Sequence, residues 1–290
     1  MADVSELVRY KLRRVRDLAR PKYVEWMFIQ RFRAGNPLTT RLADDVTIRY
    51  LPQGNVSRDL FLGQMEQDVV AFFQAFLQPG NVVLDLGANV GVFTLLGAKY
   101  VGRSGQVHAF EPTPGTFAQL RANVELNNCA CVRLNQLAVA DKPAKSTFFV
   151  YAQCGMNSMR RQEWVGAPIE EITVDAVSVD DYVDAHGLNR VDLIKIDVEG
   201  AELMVLDGAS RVLTGPNAPV LICEFTNKTT SGFGYRAAAI RERLESLGYR
   251  LYRWNCKERR LVSEPVARNY EIYANLVCMK PTHPHAANIH

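Results

Sequence analysis

The chain lacks the marks of several specialised classes. Its six cysteines, at 129, 131, 154, 223, 256 and 278, form no CxxC pair and no framework spacing. At 290 residues the chain can bury a core without disulfide staples. Reduced thiols in a cytoplasmic protein are expected, and Cys223 and Cys278, inside apolar runs, read as small buried hydrophobes. No stretch approaches the roughly 18 apolar residues of a membrane span, and no uninterrupted apolar segment of the signal-peptide kind opens the chain. Charge of one sign is scarce too: 34 basic against 31 acidic residues leave +3. That balance builds no polyanion field, so nucleic acid is not an expected partner. With 48% hydrophobic and 22% charged residues, disordered and fibrous classes are excluded.

What the first forty residues do hold is a concentration of base. Arg9, Lys11, Arg13, Arg14, Arg16, Arg20 and Lys22 crowd around Val4, Leu7, Val8, Leu12, Val15 and Leu18. These recur at helical spacing and predict a basic amphipathic helix. Such a helix packs on its own domain, contacts a partner or lies on an anionic membrane surface. Pro21 and Gly35-Asn36-Pro37 punctuate the segment, ahead of a strand over Val46 to Leu51 and a helix over Gln64 to Leu77.

From residue 80 apolar strands alternate with helical stretches, the pattern of βαβ units on a parallel sheet. Strands are expected over Val82 to Leu86, Gln106 to Phe110, Val132 to Leu137, Val191 to Ile196 and Val220 to Phe225. Helices fit Gly91 to Tyr100, Thr116 to Asn127, Glu202 to Leu213 and Tyr235 to Leu247. Phe148 to Val179 breaks the rhythm with an edge strand, the loop Cys154-Gly155-Met156-Asn157-Ser158 and a polar run without helical period. Strands over Arg250 to Trp254 and Tyr270 to Met279 complete the pattern, and the tail from Pro281 to His290 reads as disordered.

Val82 to Thr94 reads as a buried strand passing through a glycine-rich turn, Gly87-Ala88-Asn89-Val90-Gly91, into a helix. Such a turn aims backbone N–H groups and a helix N-terminus at a ligand beside the carboxyl end of the sheet. The dinucleotide fingerprint G-x-G-x-x-G needs glycine where Asn89 and Val92 stand, which argues against NAD or FAD. Asp85, before the turn, repels a pyrophosphate and suits a cationic amino group. The next strand ends in Phe110-Glu111-Pro112, where a carboxylate can accept both hydroxyls of a ribose. The lesser alternative for Glu111 taken alone is a solvated strand-end acid. An adenosine bearing an ammonium and a sulfonium, without phosphates, satisfies Asp85 and Glu111 together: S-adenosylmethionine.

At this point the sequence resembles the FkbM-type class I methyltransferases. Five segments carry the resemblance: Gly63-Gln64-Met65-Glu66, Asp85 to Gly91, Phe110-Glu111-Pro112, Lys195-Ile196-Asp197-Val198-Glu199-Gly200-Ala201-Glu202, and Glu224-Phe225. The turn alone marks a class I methyltransferase, and the block from Lys195 to Glu202 is the specific part. The resemblance implies a Rossmann-like α/β fold with a mostly parallel, seven-stranded sheet whose last strand is antiparallel. It implies methyl transfer from S-adenosylmethionine, with S-adenosylhomocysteine as product, usually to an oxygen on a sugar, polyketide or similar metabolite. The expected cofactor contacts are Glu66, then Asp85, Gly87, Ala88, Asn89, Gly91, Phe93 and Thr94 around the turn, and Glu111 and Pro112 on the second strand. Gln136 and Ala138 at the end of the third strand are expected beside the adenine, and Asp197 at the methionine end. A polar loop motif of the family puts Asn157 and Ser158 at the substrate, where a plain turn also explains them.

Methyl transfer is an in-line displacement at a carbon the sulfonium has already activated, so alignment is the protein's main task. An alcohol acceptor must also lose its proton, and a base within hydrogen-bond reach helps. Asp197 at the tip of the central strand, Glu199 two residues on and Glu224 at the end of the fifth strand are the expected catalytic acids, with Glu199 also facing the substrate. Glu199 and Glu202 alternatively serve the N-terminus of the next helix. Asp197 and Glu224 either share a proton or hold a divalent cation. The cation version resembles magnesium-dependent catechol-type methyltransferases, whose Asp-Asn pair is here Glu224-Phe225, so a metal is not favoured. His186, before Gly187, reads as a helix cap, and His108 as structural.

Three parts are expected: a helical and strand extension over 1–54, the S-adenosylmethionine-binding domain over 55–280, and the tail over 281–290. The expected function is O-methylation of a hydroxylated small molecule in natural-product biosynthesis. N-methylation of a small-molecule or peptide amine, and cofactor binding without catalysis, are the alternatives. The N-terminal helix is expected to cover the substrate or to pair two copies as a homodimer.

Overall fold

The computed structural model describes residues 21–33, 35–152, 155–265, 270–271 and 273–283. The basic helix read between Val4 and Leu18, Cys154 and all but the first three residues of the tail lie outside the described residues. In chain order the elements are α1 (Pro21–Arg33), β1 (Leu38–Ala43), β2 (Val46–Tyr50), α2 (Gly54–Leu62), α3 (Gln67–Phe76), β3 (Val82–Leu86), α4 (Val92–Val101), β4 (Gln106–Phe110), α5 (Pro114–Leu126), β5 (Val132–Asn135), β6 (Ala138–Val139), β7 (Ala144–Val150) and β8 (Glu170–Val177). There follow α6 (Val179–Ala185), β9 (Leu193–Ile196), α7 (Glu202–Asp207), α8 (Ser210–Thr214), β10 (Val220–Phe225), α9 (Asn227–Thr230), α10 (Ala238–Ser246), β11 (Arg250–Asn255), β12 (Arg260–Ser263) and β13 (Ala274–Met279).

Strands β3, β9 and β10 are mostly Val, Leu and Ile and read as buried on both faces, and they form the middle of an eight-stranded sheet ordered β12-β11-β13-β10-β9-β3-β4-β5. The strands from β10 to β5 are parallel, whereas β13 lies antiparallel to β10 and β11 antiparallel to β13. Seven of these are the expected Rossmann-like sheet with its last strand antiparallel. The eighth, β12, folds back antiparallel on β11. Strand order reverses between β3 and β9, and the crevice at their carboxyl ends is where such sheets bind ligands.

One face of the sheet is covered by α4, which buries residues on nearly every side, Phe93, Leu95 and Leu96 among them. Beside it on the same face lies α3, whose Val69, Phe72, Phe73 and Phe76 recur along one stripe, with the Phe72 ring 5.6 Å from that of Trp254 on β11. The opposite face packs Leu84, Ile194 and Leu221 against Tyr182, Val205 and Ile240 from the helices. The β1–β2 ribbon is tied to α5 by two asparagines four residues apart, hence on one helix face. Asn127 exchanges bonds with the Thr47 backbone at 2.9 and 2.7 Å, and Asn123 with the Arg49 backbone at 2.8 Å each way.

Several boundaries differ from expectation. The stretch from Phe148 to Val179 contributes the end of β7 and all of β8 to a second sheet, ordered β6-β8-β7, with β7 at its edge and an irregular connection between them. In β8, Ile172, Val174 and Ala176 turn inward while Thr173 and Asp175 stay exposed, the period of two of a half-buried strand. The helix expected over Glu202 to Leu213 is two, parted at Ala209, whose φ of −112° leaves the helical range; at the neighbouring Gly208 a Cβ would stand 2.2 Å from the Ala140 carbonyl oxygen. The third strand of the main sheet stops at Asn135, and the last one starts at Ala274. Among the described residues no helix is long and apolar enough to cross a membrane.

Candidate functional site

Between β3 and α4 the chain turns against the tip of β9. Gly87 has φ 83°, and a Cβ there would lie 1.9 Å from the Asp197 carbonyl oxygen, so no other residue fits. The N–H groups of Gly87 and Ala88 both donate to the Phe110 carbonyl, at 3.0 and 2.8 Å, which fixes the turn to β4. The Asn89 N–H then reaches Glu111 Oε2 at 3.2 Å, while Oε1 accepts from the Thr113 N–H at 2.9 Å. Burial raises the Glu111 pKa to about 7 against the pull of those donors. Each carboxylate oxygen has two lone pairs, so both can also accept a ligand hydroxyl. The turn is one wall of a cleft, with Val56 and Glu66, Leu137 to Val139, and Asp197 to Glu199 forming the others.

The bottom of this cleft is charged. Lys195 lines it at 2% exposure, with its ammonium 2.7 Å from Asp197 Oδ2 and 4.7 Å from the centroid of the Phe93 ring. Burial works against that ammonium, but Asp197, Glu66 and Asp85 together outweigh it and raise its pKa. Asp85 is 1% exposed and accepts from Thr94 Oγ1 at 2.6 Å. Burial raises its pKa against the opposing effects of Lys195 and Thr94. Glu66, at φ 26° ahead of α3, accepts from Asn275 Nδ2 at 2.9 Å. Burial lifts it to about 8 against Lys195. The sequence reading gave Lys195 no role of its own, although a single lysine inside the apolar run Leu193–Ile196 was a signal, since a buried cation requires anions.

Past β9 the chain turns again at Glu199, φ 52°, and Gly200, φ 104°. A Cβ on Gly200 would stand 2.5 Å from the Thr229 carbonyl oxygen. Ser158 Oγ and Gln162 Nε2 donate to the Glu199 carbonyl at 2.8 and 3.1 Å, so the β7–β8 connection holds this turn in place. Glu202 accepts from the Gly200 N–H at 3.1 Å and is raised to about 7 by burial, which is the helix-start role. β10 pairs Cys223 with Ile196, which brings Glu224 beside Asp197. Burial first, then Asp197 and Glu202, push the Glu224 pKa well up, and its Oε2 is buried without a hydrogen-bond partner. Burial, followed by Glu224 and Asp197, does the same to Glu199.

Of the residues expected at a ligand, Glu66, Gly87, Ala88, Asn89, Phe93, Glu111, Pro112, Ala138, Asn157, Asp197 and Glu199 line the cleft. Six do not. Asp85 and Thr94 are buried together off its wall, and Gly91 closes the turn against Leu120. Gln136 is exposed, and Leu137 takes its place on the wall. Ser158 is buried and acts on the Glu199 backbone, and Glu224 stands one strand over. Asn157 bridges the Tyr151 N–H at 2.9 Å and Thr113 Oγ1 at 3.2 Å. His108 is buried against the Tyr182 hydroxyl at 2.8 Å, and His186 caps α6. Among the described residues no group of three His, Cys, Asp or Glu side chains is placed to hold a metal ion.

The profile of the methyltransferase FkbM domain matches residues 85–251, from the strand of the glycine turn into β11. The chain belongs to the FkbM methyltransferase family. It is 29% identical over 191 residues to Methyltransferase 1 of Beauveria bassiana, covering 58% of this chain and 74% of that protein. With the 31-O-demethyl-FK506 methyltransferase FkbM of Streptomyces tacrolimicus it shares 35% identity over 159 residues, 46% of this chain and 60% of the other. With the 2-O-methyltransferase NoeI of Sinorhizobium fredii it shares 29% over 155 residues, 47% and 60%. The chain thus spans about 60% of the length of the latter two relatives. As a member of the FkbM family it is an enzyme of the methyltransferase class, with S-adenosylmethionine as methyl donor.

Proposed function

We propose that this FkbM-family enzyme methylates a hydroxyl oxygen of a sugar, polyketide or other secondary metabolite in the cytoplasm. The observation that carries the reading is the charge balance of the cleft: Glu66, Glu111, Asp197 and Glu199 line it against one ammonium, Lys195. A ligand with a sulfonium, an ammonium and a ribose diol fits that wall, and a pyrophosphate does not. In this reading Glu111 receives the ribose hydroxyls, Leu137 and Ala138 flank the adenine, and Glu66 and Asp197 face the ammonium. S-adenosylmethionine supplies a methyl carbon already activated for displacement.

Glu199 takes the proton of the acceptor hydroxyl as the new C–O bond forms. A carboxylate whose pKa is lifted by burial is a stronger base than an ordinary one, and Glu224 and Asp197 beside it sustain that lift. Ser158 and Gln162 orient Glu199 through its carbonyl. An amine acceptor needs less of a base, so a raised carboxylate at this point favours oxygen. The Streptomyces and Sinorhizobium relatives, both O-methyltransferases, support the same choice. We also read residues 55–280 as the catalytic domain and 1–54 as its extension.

The test is transfer from S-adenosylmethionine to a panel of hydroxylated glycosides and macrolides, read as S-adenosylhomocysteine release and product mass. Oxygen methylation whose kcat falls about a hundredfold or more in Glu199→Gln, with donor affinity kept, supports the proposal. Methylation of amines alone, or full turnover in that variant, overturns it.

A further inference from the structure

Helix α1 carries apolar side chains on two sides. Trp26 and Ile29 are buried against the domain, with the Trp26 ring 5.6 Å from that of Phe61 on α2. On the outer side Val24, Met27, Phe28 and Phe32 are 58, 55, 60 and 65% exposed, at spacings that place them in one stripe. The Phe28 and Phe32 rings pack on each other at 4.6 Å, and the Arg31 guanidinium lies 5.7 Å from the Phe32 centroid. A single exposed phenylalanine is ordinary, but four large apolar side chains in one stripe form a contact surface.

Charge decides which partner that surface fits. The first 33 residues hold nine basic and four acidic side chains, a net +5, which leaves the other 257 at −2. Lys22, Arg31 and Arg33 lie on α1 itself. A second copy docked stripe to stripe about a two-fold axis brings two such charged segments together. The chain's own first twenty residues, with Arg9, Lys11, Arg13, Arg14, Arg16 and Arg20, are of the same sign. Anionic headgroups neutralise this charge, their acyl boundary accepts the phenylalanines, and Arg31 can extend from within the stripe to phosphate oxygens. We propose that α1 docks the enzyme on an anionic lipid surface. The helix beneath it, α2, contributes Val56 to the cleft wall, so docking sets the cleft close to the lipid–water boundary.

The experiment is cosedimentation of the full chain with phosphatidylcholine vesicles, with and without phosphatidylglycerol. Binding is expected only with phosphatidylglycerol and should weaken as salt rises. Phe28→Asp combined with Phe32→Asp should weaken it roughly a hundredfold, and Arg31→Glu combined with Arg33→Glu about tenfold or more. Because these four side chains are exposed, both double variants should keep the parent melting temperature. No binding to phosphatidylglycerol vesicles, or salt-insensitive binding to phosphatidylcholine alone, overturns the proposal. So does a dimer in sedimentation velocity that ignores vesicles and becomes a monomer in the phenylalanine double variant.

Discussion

At 2% exposure Lys195 is largely shielded from solvent, and its charge is balanced by Asp197, Glu66 and Asp85. Lys195→Met leaves those carboxylates uncompensated and is expected to cost about 3–5 kcal/mol of stability in urea unfolding, whereas Lys195→Arg keeps the charge and should cost less. Gly87→Ala forces a Cβ into the Asp197 carbonyl. About 3 kcal/mol or more should be lost, together with donor binding by calorimetry. At this scale the sequence was informative about residues on strand tips: Glu111, Asp197 and Glu199 reach the cleft because each follows the last residue of a parallel strand by one to three positions. It placed Asp85 at a ligand ammonium, whereas the cation beside Asp85 is Lys195, its neighbour across the sheet and 110 residues away. Which charges face each other depends on that register, and no local pattern encodes it.

Elements rather than single residues hold the second turn. The β7–β8 connection reaches over the sheet and fixes the Glu199 carbonyl through Ser158 and Gln162. Ser158→Ala with Gln162→Ala should lower kcat about tenfold while donor affinity stays within about twofold, a split that a general loss of folding does not produce. The β1–β2 ribbon depends on side chains of α5, and Asn123→Ala removes bonds to Arg49 and to the Val90 carbonyl. A loss of about 1–3 kcal/mol in unfolding free energy is expected. The central strands were legible because a strand buried on both faces is a continuous apolar run. β8 was passed over although Ile172-Thr173-Val174-Asp175-Ala176 alternates strictly, because Glu170 and Glu171 ahead of it continue a polar stretch. At the break Gly208 lies so close to Ala140 that a Cβ does not fit, a tertiary contact that helical periodicity does not register.

For the molecule as a whole, the buried acids set the response to pH. Glu66, Glu111 and Glu202 have folded pKa values of about 8, 7 and 7, above the ordinary 4.5. The folded protein therefore holds these protons more tightly than the unfolded chain does. Their stabilising effect is complete below the ordinary value and is lost as pH climbs through 7 and 8. The melting temperature of the ligand-free enzyme should accordingly fall between about pH 5 and pH 8. A cationic donor favours the ionised acids, so its affinity should rise over the same interval with proton release, measurable by calorimetry in buffers of different ionisation heat.

The sheet also has an outer boundary to defend. Without β12, the free edge beyond β13 would be the six residues Arg250–Asn255 of β11, Tyr252 and Trp254 among them. With it, the outermost backbone is four residues long, is flanked by the Arg253–Glu264 ion pair, and is followed by Pro265, which has no N–H to donate. On this side of the sheet an incoming strand from another molecule meets a shorter and more charged template than β11 would offer, one of the ways a sheet edge is kept from pairing.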